Sequence, residues 1–302
     1  MVGLRRAARA VEAGDARVVA CIGGDTFQPE RFAELVGRFS SLSIEGSSPY
    51  GLAGANLPFA LLTRAYMDRY RVGRESFGRL CALQRRHALD FPQALLTKPL
   101  TLQEYLDARM VAEPLGLFDC VMPCAGAEGF LVMSEFDARE RGLDYVRLKA
   151  SGERHNDARG QVMPMRFGWE HFREALYSAS GFGPESVDVL QLYDDYPVMV
   201  FLQLEEMGFV APGGAAQAIA EEGLSVAGRQ VHLNTQGGQL SAGQAGFAGG
   251  FMGLTECIRQ LSGRALGNQR QGVRRALVSG FGMINYDRGL CTAAATLETV
   301  SE

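Results

Sequence analysis

Apolar residues recur at helical spacing in VGLRRAARAVEAGD, which predicts a helix stopped at Gly14. The next segment, ARVVACIGGD, is a short apolar run closed by Gly23, Gly24 and Asp25, and it predicts a buried strand. A helix packed on a sheet ordinarily follows a strand, so this αβ unit reads as beginning in mid-fold. Gly and Ser dominate SSLSIEGSSPYGLAGANLP, a loop. Helical patterns return in LPFALLTRAYMDRY and in RESFGRLCALQRRHALDFP as far as Pro92, ahead of the polar segment LTKPLTLQEYLDARM. AGAEGFLVMSEFDARERGL reads as strand then helix, YVRLKASGERH as a strand, and residues 156–168 as a hinge.

The pattern then restarts. FREALYSASG predicts a helix, DVLQLY a strand, and PVMVFLQLEEMGF a helix opened by Pro197. VHLNTQGGQLS is strand-like, GFAGGFMGLTECIRQLSG helical, and RRALVSGFGMI and CTAAATLE are strands joined by NYDRGL. Residues 1–160 and 161–302 are therefore expected to form two successive α/β halves with covering helices. At one strand-to-helix join stand two phenols and two carboxylates, Tyr193-Asp194-Asp195-Tyr196. Strand ends of α/β sheets gather ligands and reacting groups. Aspartate there also caps a following helix.

Composition narrows the picture a little. A chain of 302 residues, 47% hydrophobic and 21% charged, is ordinary globular protein. A net charge of −4 argues against nucleic acid as the main partner. No apolar run reaches membrane-span length, and residues 1–20 lack a signal-peptide pattern. A soluble, cytoplasmic protein is the expectation. The six cysteines, Cys21, Cys81, Cys120, Cys124, Cys257 and Cys291, match no zinc or redox spacing, so reduced thiols and no metal site are expected.

Three segments, LQLYDDYP, NTQGGQLSAGQAG and SGFGMINYDRGLCTAA, together resemble the thiolase superfamily in its sterol-carrier-protein-x or lipid-transfer branch. The resemblance covers essentially the whole chain. It implies a thiolase fold, α/β and layered αβαβα in two similar halves. It also implies that the usual nucleophile region would precede Met1, leaving the N-terminal half incomplete. In that family the first loop commonly reads His-Asp-Cys-Phe; Tyr193 stands at the His and Asp195 at the Cys. The family's Gly-His-Pro is here Gly243-Gln244-Ala245. The resemblance extends to retro-aldolase subunits acting on steroid side-chain acyl-CoA esters, in which tyrosines replace thiolase Cys and His.

What this implies is retro-aldol cleavage of a β-hydroxyacyl-CoA, with Tyr193 and Tyr286 as catalytic phenols. Asp194, Asn234, Gly238, Gln244, Gly280 and Gly282 are the implied substrate-binding positions, the last two through backbone N–H groups. Coenzyme A enters as part of the substrate, with no covalently bound cofactor. The implied partners are a second copy of the chain and a small subunit with an OB fold and a zinc ribbon. Two other readings stand beside it: a lipid-transfer-type thiolase or acyltransferase whose Cys lies upstream, and a non-catalytic acyl-CoA-binding subunit. His87, His155, His171 and His232 match no catalytic position of the family, and the basic run Arg270–Arg275 reads as a solvated edge.

Overall fold

A computed structural model describes residues 1–31, 54–157, 163–220, 222–282, 284–285 and 288–300. Strand β1 (Val18–Asp25) pairs antiparallel with β4 (Gly126–Met133), and the short β2 (Met110–Ala112) and β3 (Leu115–Gly116) form a separate ribbon. The main sheet is mixed. Its centre is three parallel strands, β10 (Arg275–Phe281), β6 (Val189–Gln191) and β9 (Arg229–Leu233). Beyond β9 lie β8 (Gly223–Val226) and β7 (Ile219–Ala220), both antiparallel. Beyond β10 lies β12 (Arg288–Thr299), which pairs with β5 (Val146–Asp157) and at its start with β11 (Ile284–Asn285). The sequence pattern places β5 with the first half; its hydrogen bonds join it to the last strand of the second.

Both faces of this sheet are covered, as the near-continuous apolar runs of its strands require. Successive side chains alternate between the two layers. Val189, Ala276, Val278, Ala293, Ala295 and Leu297 face a core shared with Leu4 of the first helix, Val2–Glu12, and with Leu254 and Cys257 of Gly249–Leu261. Leu190, Leu277 and Ala294 face the larger core opposite. There the helices Asn56–Tyr70, Arg74–Leu89 and Pro197–Glu206 meet through Phe59, Tyr66, Phe77 and Phe201.

Pro197–Glu206 is the centre of that core, with all ten of its residues buried. Three of them are polar, and burial without partners is costly for each. Glu205 accepts a 2.5 Å hydrogen bond from the Tyr66 hydroxyl. Glu206 accepts from the backbone N–H groups of Phe167, Gly168 and Trp169, at 2.7, 2.9 and 3.0 Å, and so anchors the entry to the helix Glu170–Ser180. Gln203 turns toward the end of β6.

Two differences from the sequence pattern have local causes. The strand-like VHLNTQGGQLS is half strand and half helix: Gly237 and Gly238, at φ of 99° and 63°, turn the chain into the helix Gly238–Ala242. The polar segment after Pro99 holds a helix, Leu102–Asp107, closed by a Thr101–Glu104 capping box. Among the described residues no helix is long and apolar enough to cross a membrane.

Truncating Glu206 to alanine strands three buried N–H groups, and the expected loss is about 3–5 kcal/mol of stability. The check is the urea midpoint of Glu206→Ala against that of the native chain; a shift below about 1 kcal/mol contradicts the anchoring role.

Candidate functional site

Backbone pairing of β6 stops at Gln191, and each of the next three residues is held by a side chain. Leu192 is gripped by Asn234, whose Oδ1 accepts from the Leu192 N–H at 2.8 Å and whose Nδ2 donates to the Leu192 carbonyl at 3.1 Å. Tyr193 is gripped in the same way by Gln203 from the following helix. Asp194 reaches back to the helix Gly238–Ala242, accepting from the N–H groups of Gln239 and Leu240 at 2.8 and 3.2 Å and from Gln84 Nε2 at 2.5 Å. The peptide is thereby carried past the sheet edge in a fixed course, and the Tyr193 side chain projects from it.

The amide side chains of Gln239 and Gln244 lie close enough to the Tyr193 phenol to favour its ionised form. Gln244 Nε2 also donates to Gln239 Oε1 at 3.1 Å. The backbone of Gln244 is docked on the loop before β4: its N–H donates to the Met122 carbonyl and its carbonyl accepts from the Cys124 N–H, both at 2.9 Å. Tyr193 and Gln244, two positions singled out in the sequence, are therefore brought together. Burial pushes the Tyr193 phenol above its ordinary range, and the carboxyls of Asp195 and Asp194 push it further; the two amides pull the other way. At neutral pH the group is a protonated phenol. It is a proton donor and a poor base.

The second phenol of the opening stretch is structural. Tyr196 stacks on Phe59 with ring centroids 4.1 Å apart and donates to Asn56 Oδ1 at 2.7 Å. Cys120 also contacts Asn56, at 3.7 Å, and burial pushes its thiol up to about 12. The Cys124 thiol beside Gly243 is raised by burial too, so both thiols stay protonated at neutral pH.

The other singled-out positions do different work. Asn234 holds strand-end backbone: besides the Leu192 pair made by its side chain, its backbone carbonyl accepts from Gly237 N–H at 2.8 Å and faces His87 Nδ1 at 3.2 Å. Burial holds His87 down at about 4, so it is a neutral donor there. Asp194 caps Gly238–Ala242 instead of the helix that follows it in sequence, which has no side-chain cap. Asp195 Oδ1 accepts from the Tyr196 N–H at 3.1 Å. Gly238 has no room for a side chain, since a Cβ would collide with Asp194 Oδ2 and Gln84 Nε2. Gly280 lies inside the β10–β12 ladder opposite Ala293, and the Gly282 N–H donates to the Cys291 carbonyl at 2.7 Å. The Gly282 N–H implied as a substrate donor is thus engaged with strand β12 in this structure. Tyr286 lies outside the described residues.

Gln239, Gln203 and Gln84 were not singled out from sequence. For Gln203 the signal was present: a lone amide inside the apolar run PVMVFLQL.

Residues 155–291 match the family described as thiolase C-terminal domain-like. A steroid side-chain-cleaving aldolase of Thermomonospora curvata is 32% identical over 241 residues, covering 76% of this chain and 60% of that protein. The 17-hydroxy-3-oxo-4-pregnene-20-carboxyl-CoA lyase of Mycobacterium tuberculosis is 33% identical over 241 residues, covering 77% of this chain and 61% of its own length. This chain thus spans about three fifths of these curated relatives. Among solved structures, an Ltp2–ChsH2(DUF35) aldolase superposes with a TM-score of 0.82 at 28% identity, over 98% of this chain and 76% of that one.

Replacing Gly238 with alanine forces Asp194 off its helix and strains a left-handed residue, with an expected cost of about 2–4 kcal/mol. Thermal and urea unfolding of Gly238→Ala measure it, and near-native stability would remove Gly238 from the frame that holds Tyr193.

Proposed function

The chain belongs to the thiolase superfamily, in its sterol-carrier-protein-x-like branch, and we propose that it is a lyase subunit cleaving a carbon–carbon bond in a β-hydroxyacyl-CoA by a retro-aldol step. The observation that carries this reading is the Tyr193–Gln239–Gln244 cluster: a protonated phenol on a peptide fixed by Gln203, beside two linked amides at the strand end. The names of two relatives, a steroid side-chain-cleaving aldolase and a steroid acyl-CoA lyase, support the substrate class.

In the step proposed, the β-hydroxyl loses its proton as the bond between the α- and β-carbons breaks. The β-carbon becomes a ketone and the electron pair forms a thioester enolate. The α-carbon then takes up a proton, so atoms and charge balance without oxidant or covalent acyl-enzyme. We assign Tyr193 to the donor side: a phenol held above its ordinary pKa supplies a proton, or a strong hydrogen bond, to the enolate. Tyr286, carried over by the family resemblance, takes the opposite proton transfer. Coenzyme A belongs to the substrate. A small OB-fold and zinc-ribbon partner is part of the proposal, supported by the second component named in the Ltp2–ChsH2(DUF35) aldolase; so is a homodimer of this chain.

The direct test incubates the protein, with and without such a partner, with 17-hydroxy-3-oxo-4-pregnene-20-carboxyl-CoA. Cleavage releases the 17-ketone and propionyl-CoA, both measurable by mass. Tyr193→Phe keeps the ring and removes the acidic hydrogen, so folding should stay within about 1 kcal/mol while turnover falls by about 10²–10⁴-fold. Turnover of Tyr193→Phe equal to the native rate rules out the assignment. The pH profile is a separate check. An acid whose pKa lies above the ordinary tyrosine range stays protonated through pH 9, so Tyr193 imposes no alkaline limb below about pH 10. An acid-side limb, with turnover rising as pH increases toward about 9, that is missing from the residual rate of Tyr193→Phe would overturn the donor role, because it would make the phenolate the active form.

A further inference from the structure

We infer that Gln203 is a positioning residue for the reaction, holding the Tyr193 peptide so that the phenol meets its target at a fixed place. The inference rests on Tyr193 as the working phenol.

Gln203 is wholly buried on the helix Pro197–Glu206. Its Oε1 accepts from the Tyr193 N–H at 3.1 Å, and its Nε2 donates to the Tyr193 carbonyl at 2.7 Å. A peptide in a neighbouring strand would offer a residue the same two groups. No strand does so here, because the pairing of β6 ends at Gln191. The amide therefore substitutes for one rung of a ladder, at the residue that carries the phenol.

The remaining valences of the amide fix its orientation. A primary amide has two acceptor sites and two donor hydrogens. The second acceptor site takes the Ser279 hydroxyl of β10, and the second hydrogen goes to the Met199 carbonyl at 2.7 Å. All four are occupied. Flipping the amide would set its nitrogen against the Tyr193 N–H and its oxygen against two carbonyls. Ser279 adds a link between the Tyr193 peptide and a strand on the other side of β6 from Asn234. The phenol oxygen lies at the far end of its side chain, so a small tilt of the peptide is magnified there. Misplacement of a reacting group by 1 Å costs on the order of 10²-fold in rate.

Two substitutions separate positioning from mere stability. Gln203→Leu removes all four hydrogen bonds, and kcat should fall by about 10²-fold with KM within about threefold of native. Gln203→Glu keeps the shape. Its carboxyl faces two carbonyl oxygens and can donate to one only when protonated. Turnover of Gln203→Glu should therefore approach native at the acid end and fall as pH rises, a limb the native enzyme lacks. The probe substrate is 17-hydroxy-3-oxo-4-pregnene-20-carboxyl-CoA, with the partner subunit present. In parallel, 3-fluorotyrosine placed at position 193 gives a fluorine NMR signal that reports ring order without any reaction; it should shift or broaden in Gln203→Leu.

A folded Gln203→Leu with native kcat and an unchanged fluorine signal would overturn the inference. If Gln203→Leu does not fold, Gln203→Glu decides: native kcat at every pH overturns it, and the pH-dependent rescue sustains it. The two readings fail differently. Native turnover in Tyr193→Phe sinks the phenol's role, and the fluorine signal then still judges whether Gln203 holds that ring. Impaired Tyr193→Phe beside a native Gln203→Leu sinks the positioning role alone.

Discussion

The structure turns on one constraint: the helix Pro197–Glu206 has no exposed face, so every polar group on it must find a partner inside the protein. Gln203, Glu205 and Glu206 meet that demand by reaching three separate neighbours. Those partners are the end of β6, the helix Asn56–Tyr70 and the entry to Glu170–Ser180. The buried helix therefore links the sheet to the helices around it through directional bonds, while Phe201 and its aromatic neighbours supply the non-directional packing. Apolar residues at the same positions would fill space equally well, yet they would leave the Tyr193 peptide and three N–H groups without partners. The polar residues specify where the strand end goes; the apolar ones make it stable.

On the reading proposed, that frame lets a thiolase-like scaffold carry different chemistry. An ordinary imidazole titrates near pH 6.5 and moves protons both ways around neutrality. A phenol at the same position, buried beside two carboxyls, stays protonated near neutral pH. What it offers is a hydrogen held ready in a site of low dielectric, where a directed donor is worth more than in water. Gln244, at the position of the second family histidine, has no titratable proton and can only orient its neighbour. On the reading proposed, both residues favour fixed hydrogen-bond donation over proton cycling. A reaction that generates an enolate without an acyl-enzyme makes that demand.

Much of the fold was legible in the sequence because it rests on local pattern. The strands β6, β10 and β12 are apolar runs, and the helix after Tyr193 is opened by a proline at its first turn. The family motifs brought Tyr193 and Gln244 into view from separate parts of the chain. What stayed hidden was long-range and polar. Nothing local tells that Asp194 caps a helix more than forty residues later, because an aspartate before a proline-led helix fits the nearer cap as well. The Gly237–Gly238 pair reads as a loop until Asp194 and Gln84 are placed against it. Gly282 was assigned a free N–H by analogy, and only strand pairing reveals the Cys291 carbonyl on it.

The question raised by Tyr193-Asp194-Asp195-Tyr196 then has a physical answer. Four polar residues at one strand end do four different things. Tyr196 packs against Phe59 and fixes the turn, and Asp194 ties it to the helix Gly238–Ala242. Asp195 is buried with a single backbone N–H donor, a poor arrangement for a carboxylate and a tolerable one for a carboxylic acid. Burial and the neighbouring Asp194 both raise it. Any negative charge that does develop on either aspartate opposes ionisation of Tyr193, and ionised Tyr193 would oppose theirs. Ionisation of one group thus makes ionisation of the next harder. Against that background the Gln239 and Gln244 amides lower the cost of negative charge on the phenol oxygen, as Gln84 and the Gln239 and Leu240 N–H groups do on Asp194. Burial discourages charge throughout the cluster, and the polar neighbours of the Tyr193 phenol and of the Asp194 carboxyl each offset part of that cost.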